Sequence, residues 1–103
     1  MIIDTHCHAG KNWFLPIESL EFEMNRTGVD GAVLIQHGGT YDNDYLFDEA
    51  AKRGGRFKVV VMIDPADLDP LGTLEHSAEQ GAAGVRFAPD GAFNALPDVT
   101  DIW

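Results

Sequence analysis

The chain is poor in several things at once. It has one cysteine, Cys7, which excludes an internal disulfide and cannot build a thiolate zinc knuckle. Basic residues are scarce: seven Lys and Arg stand against seventeen Asp and Glu, a formal net charge of −10. So acidic a chain is repelled by a phosphate backbone and by anionic lipid, which disfavours nucleic-acid and membrane-surface partners. No apolar run approaches the roughly 20 residues that cross a bilayer. Met1-Ile2-Ile3-Asp4 lacks the basic segment and apolar stretch of a secretory signal, so the expected compartment is the cytoplasm. What remains is 103 residues, 45% hydrophobic and 23% charged, enough for one ordinary globular domain with one core.

Along the chain, short apolar runs alternate with amphipathic stretches. The runs are Met1–Cys7, Gly31–Gln36, Phe57–Ile63 and Gly84–Ala88, rich in Ile, Val or Phe, as in strands buried on both faces. Three helices are expected between them. In the first, Pro16 suits the opening turn, Ile17, Leu20 and Met24 recur at helical spacing, and Gly28 suits a left-handed stop. In the second, Asp42 or Asn43 caps, Leu46, Phe47 and Ala50 form a stripe, and Gly54-Gly55 ends it. In the third, Asp69-Pro70 opens, Leu71, Leu74 and Ala78 face inward, and Gly81 closes. This spacing is that of βαβ units, hence an α/β fold with parallel βα repeats and helices packed outside the sheet. It suits a small doubly wound domain, or the first half of a TIM-like (β/α)8 barrel with about four strands and three helices. Such a barrel takes about 250 residues, so this one is expected to be incomplete. Asp98–Trp103 reads as a capped helix just beginning.

The segment richest in chemistry is Asp4-Thr5-His6-Cys7-His8-Ala9-Gly10. Residues two apart on a strand share a face, so His6 and His8 point together while Cys7 points away. Two neutral imidazoles on one rigid strand suit a divalent metal such as zinc; the plain alternative is two polar histidines at a strand end. The same alternation puts Asp4 beside them, where it would orient an imidazole by a hydrogen bond.

The His-x-His pair, at the end of the first apolar strand and within the first ten residues, resembles the amidohydrolase superfamily. Asn25-Arg26-Thr27-Gly28-Val29-Asp30, Ala32–Gln36, Asn43-Asp44-Tyr45-Leu46, Arg56-Phe57, Asp64-Pro65 and Gly84-Val85-Arg86-Phe87 follow in order. Together they resemble its amidohydrolase-related (amidohydrolase-2) branch over essentially the whole chain, making residues 1–103 the N-terminal half of such a barrel. The resemblance implies that His6 and His8 are first-strand metal ligands. It implies a hydrolase of a small carboxylated lactone, ester or amide, or a decarboxylase of a related acid. It also implies one divalent metal, zinc or else manganese, although some lactonases of the family need none. The fourth strand lacks the lysine of binuclear members. The family's later histidines and aspartate belong to strands that this sequence does not reach, so no catalytic residue is assigned and the 103 residues alone are expected to be inactive.

Other candidates have two readings each. Arg86 offers a planar fork for a substrate carboxylate, or pairs with a surface carboxylate. His37, in Gln36-His37-Gly38-Gly39 after the second strand, binds substrate or is a solvated loop residue. Asp64 points into the mouth or caps a turn. Trp13 and Phe14 wall the site, or one packs and the other is exposed. His76 reads as a solvated helix residue, and Cys7 as a small buried hydrophobe. The expected partners are a small-molecule substrate and either a second copy or a missing C-terminal half. A non-catalytic half-barrel pairing with itself would hide two raw sheet edges. Metal-dependent DNases of the superfamily have a similar first strand, but the acidic charge and the absence of Gly-x-His-Pro after the second strand weigh against them.

Overall fold

The computed structural model of the chain describes residues 1–86. They form β1 (Ile3–Cys7), α1 (Ile17–Thr27), β2 (Gly31–Ile35), α2 (Asp44–Ala51), β3 (Phe57–Met62), α3 (Pro70–Glu79) and β4 (Gly84–Arg86). The strands pair in parallel in the order β1-β2-β3-β4. A parallel return needs a crossover, and right-handed crossovers between consecutive strands put their helices on one side of the sheet. The core lies on that side. Cys7, Leu34, Val59 and Val61 of the strands meet Ile17 and Met24 of α1 and Leu46 and Phe47 of α2. Cys7 pairs with Leu34 and Leu34 with Val59, so these side chains stand in one row. Ile17, Leu34, Leu46 and Val61 are the largest fully buried side chains, each contributing about 1.5–3 kcal/mol over an exposed one.

The helix boundaries follow local chemistry. Pro16 is the N-cap of α1, one position ahead of the expected opening turn, and Gly28 closes the helix at φ 77°. At α2, Asn43 occupies the cap position while the Asp42 carboxylate accepts from the Asp44 N–H at 3.0 Å. That helix stops at Ala51, before the expected Gly54-Gly55. Asp69 caps α3 by accepting from the Gly72 N–H at 3.1 Å, with Pro70 in the first turn. One side chain clamps α1 to α2: Arg53 donates to Glu21 at 2.6 Å and to Glu49 at 2.6 Å. Gly31 opens β2 where an added Cβ would stand 2.9 Å from the Arg56 carbonyl oxygen, so nothing larger fits.

Two expectations need correction. The inward face of α3 is not Leu71-Leu74-Ala78: Leu71 and Ala78 are exposed, and Ser77 is buried. Ser77 can sit inward because its hydroxyl donates to the Thr73 carbonyl at 2.9 Å. Nor is β1 buried on both faces, since Ile3 through His6 are exposed. Among the described residues it is an edge strand paired with β2 alone, and the sheet face away from the core has no covering layer. The expected continuation of β4 through Phe87 and Ala88, and the helix at Asp98–Trp103, lie outside the described residues. No helix of the described residues is long and apolar enough to cross a membrane.

Candidate site at the carboxyl ends of the strands

Parallel strands bring their carboxyl ends to one edge of the sheet, and His8, His37 and Arg86 all stand there. Cys7 faces the core, so its neighbours His6 and His8 face the other way. Their Nε2 atoms are 3.2 Å apart. Two nitrogens bound to one tetrahedral zinc at about 2.0–2.1 Å stand about 3.3 Å apart, so this pair fits two positions of such a shell. The His8 Nδ1 lies 2.7 Å from the Ile35 carbonyl oxygen, which can only accept. Nδ1 therefore carries the proton, and the His8 Nε2 lone pair is an acceptor that takes the hydrogen bond from the His6 Nε2–H, or a ligand in its place. Among the described residues no group of three or more His, Cys, Asp or Glu side chains converges to complete a metal shell.

Asp4 is not part of this arrangement. A bulge between Asp4 and Cys7 breaks the alternation and sets Asp4 opposite Ala32, a core-facing position, instead of on the histidine face. Its carboxylate accepts from the His6 main-chain N–H at 3.0 Å. That bond, with a further one from the Cys7 thiol, holds the carboxyl below its usual value. Burial first, and the Asp4 carboxylate second, push the Cys7 thiol up to about 12, so it stays protonated and inert as expected of a small hydrophobe. The orienting bond expected from Asp4 to an imidazole comes instead from the main chain of Ile35 to His8.

Phe14 gathers the aromatic groups. Its ring stacks on His8 at 4.6 Å and meets His37 at 4.9 Å, while Trp13 meets His37 edge-on at 5.0 Å. Trp13 is 71% exposed and Phe14 half-buried, so one aromatic supports the histidines from below and the other stands open to solvent. Trp13 and His37 also line a cavity of about 560 Å³ on the outer side of the loops, which includes neither His6 nor His8 nor Arg86. Asp64 caps a turn, its carboxylate accepting from the Ala66 N–H at 2.8 Å. His76 is exposed on α3, as expected.

Arg86 is half-buried and makes no carboxylate contact among the described residues; it donates from Nη1 to the Gln36 carbonyl at 3.1 Å. The guanidinium is thus held at the carboxyl ends of the strands, with its other donors unused among the described residues. Gln36 itself was not among the sequence candidates. Its signal was available: a single amide closing an apolar strand, which burial forces to find partners.

No family model matches the chain, and no curated protein matches its sequence. Solved structures do match. A probable 2-pyrone-4,6-dicarboxylic acid hydrolase from Acinetobacter baumannii, crystallised with citric acid, aligns with TM-score 0.67 and 19% identity over 84% of this chain. An Agrobacterium tumefaciens protein solved in its apo form aligns with TM-score 0.62 and 20% identity over 82%. The likeness is one of fold. The chain spans 37% and 36% of the lengths of these two neighbours. Its four parallel strands and three helices are an α/β arrangement that corresponds to part of a larger barrel-like structure.

Proposed function

We propose that residues 1–103 are the N-terminal half of a metal-dependent hydrolase barrel of the amidohydrolase-related kind. The substrate class is a small carboxylated lactone, ester or amide; decarboxylation of a related acid is the variant chemistry. The observation that carries this is the pair of Nε2 atoms 3.2 Å apart, with His8 held in the one tautomer whose Nε2 is an acceptor. His6 and His8 would hold the metal, zinc before manganese. A bound divalent ion of this kind polarises a carbonyl oxygen and lowers the pKa of water. The chain's own residues then divide the remaining tasks. Phe14 packs against His8 and keeps its ring in place. Arg86 spends one donor on the Gln36 carbonyl among the described residues and would offer its others to a carboxylate, while Trp13 and His37 stand beside the entrance as substrate contacts. The neighbour from Acinetobacter baumannii, named for a dicarboxylic acid and holding a tricarboxylic one, supports a carboxylated substrate.

Titrating the metal-free protein with zinc and counting bound ions by elemental analysis tests the reading. One zinc per chain, lost in both His6→Ala and His8→Ala, is the expected result. Zinc uptake unchanged in both variants overturns it.

The second reading is a half-barrel that pairs with its own copy and has no catalysis. It is favoured by β1, an exposed edge strand preceded by Met1 and Ile2, both exposed. Native mass decides between them: a metal-free dimer supports self-pairing, and a zinc-loaded monomer excludes it.

A further inference from the structure

Gln36 stands just beyond β2 and is 3% exposed despite its polar side chain. Burial of an amide is costly unless its groups are bonded, and all four polar groups of this residue have partners. The main-chain N–H donates to the Val60 carbonyl at 2.9 Å, carrying the ladder to β3 one step past the strand. The main-chain carbonyl accepts from Arg86, which reaches it from β4 across the end of β3. The side-chain Nε2 donates to the Asp42 carbonyl at 3.0 Å, and Oε1 accepts from the His37 main-chain N–H at 3.1 Å.

Two of these bonds share one rigid unit. The carbonyl that receives Arg86 and the N–H that is held by Oε1 belong to the same planar peptide, between Gln36 and His37. The side chain of Gln36 therefore sets the rotation of the peptide whose oxygen aims the guanidinium. On its far side the peptide leads into His37, whose ring meets Phe14 and Trp13 and whose carbonyl accepts from the Thr40 N–H at 3.3 Å, and then into Gly38 and Gly39, both exposed. The Oε1 bond is the side-chain contact made to the peptide's own N–H. We propose that Gln36 is the positioning residue of this site: its amide locks the Gln36–His37 peptide, and through it the direction of Arg86 and of the His37 loop. The inference rests on the reading of Arg86 as a carboxylate anchor and adds the residue that makes the anchor rigid.

The test uses the full chain and two substitutions. Gln36→Met keeps the side chain's length and removes both of its bonds; Gln36→Glu keeps an acceptor for the His37 N–H. Three readouts are followed by NMR in metal-free protein: the His37 main-chain amide proton, the Arg86 side-chain protons, and affinity for tricarballylate as a carboxylate probe. In Gln36→Met the His37 amide signal is expected to move upfield, the Arg86 protons to broaden into exchange with water, and probe affinity to fall about tenfold. In Gln36→Glu the His37 and Arg86 signals are expected to stay near their wild-type positions, a rescue that side-chain volume alone does not explain. Should Gln36→Met not fold, Gln36→Asn replaces it, withdrawing the amide by one methylene with the same expected losses. Unchanged His37 and Arg86 signals in the variant lacking the bonds overturn the inference. Wild-type protein that ignores tricarballylate while Gln36→Met still loses both signals overturns the carboxylate reading of Arg86 and leaves the positioning role standing.

Discussion

On the core side of the sheet, Leu34 and Val61 are wholly enclosed within a cluster of buried hydrophobic residues. On the other side, a few ångströms away across the same strands, His6 is exposed, His8 is half-buried, and Val33, Ile35 and Val60 are only partly covered. The two faces are made from alternate residues of the same short segments, yet they carry different loads. One face supplies the free energy of folding. The other is left under-packed and holds the imidazoles, which on the proposed reading a metal or substrate reaches. Stability and chemistry are thus separable by the face of the sheet, and substitutions can test that separation.

The largest effect is expected from Leu34→Ala. Removing a fully buried side chain should cost about 2–5 kcal/mol in a denaturant titration. A loss below the lower limit would mean that the core face is not where stability resides. Arg53→Met comes next, at about 1–2 kcal/mol, because it removes the guanidinium that joins Glu21 of α1 to Glu49 of α2. Far smaller is the expectation for His6→Ala, whose stability should stay within about 0.5 kcal/mol of the parent while zinc binding disappears. A loss comparable to that of Leu34→Ala would break the division between the faces.

The smallest effect lies on the acid side. The Lys52 ammonium first, then the Arg53 guanidinium, hold the Glu49 carboxyl below its usual value of 4.5. A depressed carboxyl contributes stability above its unfolded value and loses it as pH falls through the folded one. Stability should therefore decline slightly below pH 4.5. The decline should be shallower in Arg53→Met, as measured by denaturant midpoints across that range.

Much of this was legible in the residues. The strands lie within the expected apolar runs, since short Val- and Ile-rich segments between helical stretches have few other options in a parallel sheet. Gly28 and Asp69 act where local capping chemistry put them. The convergence of His6 and His8 followed from strand alternation. What escaped were features that depend on tertiary context. A one-residue bulge moved Asp4 to the wrong face for its expected role, and nothing in Asp4-Thr5-His6 announces a bulge. Ser77 displaced Leu71 and Ala78 from the interior because its hydroxyl is satisfied within its own helix. Arg53 bonds to a glutamate 32 positions away, and Arg86 to a carbonyl 50 positions away; no local pattern encodes either meeting.

The strictly consecutive strand order has a consequence for how the molecule is made. Among the described residues each strand after β1 pairs with the one synthesised just before it, so none of them has to wait for a distant partner to leave the ribosome. The loops to be closed are of similar, modest length, and each closure costs nearly the same entropy as the last. Assembly of the described residues can proceed by accretion from β1, every new βα unit using the exposed edge of its predecessor as a template. The histidine pair belongs to β1, so the His8 ring is held in place as soon as Ile35 of β2 arrives to receive its N–H.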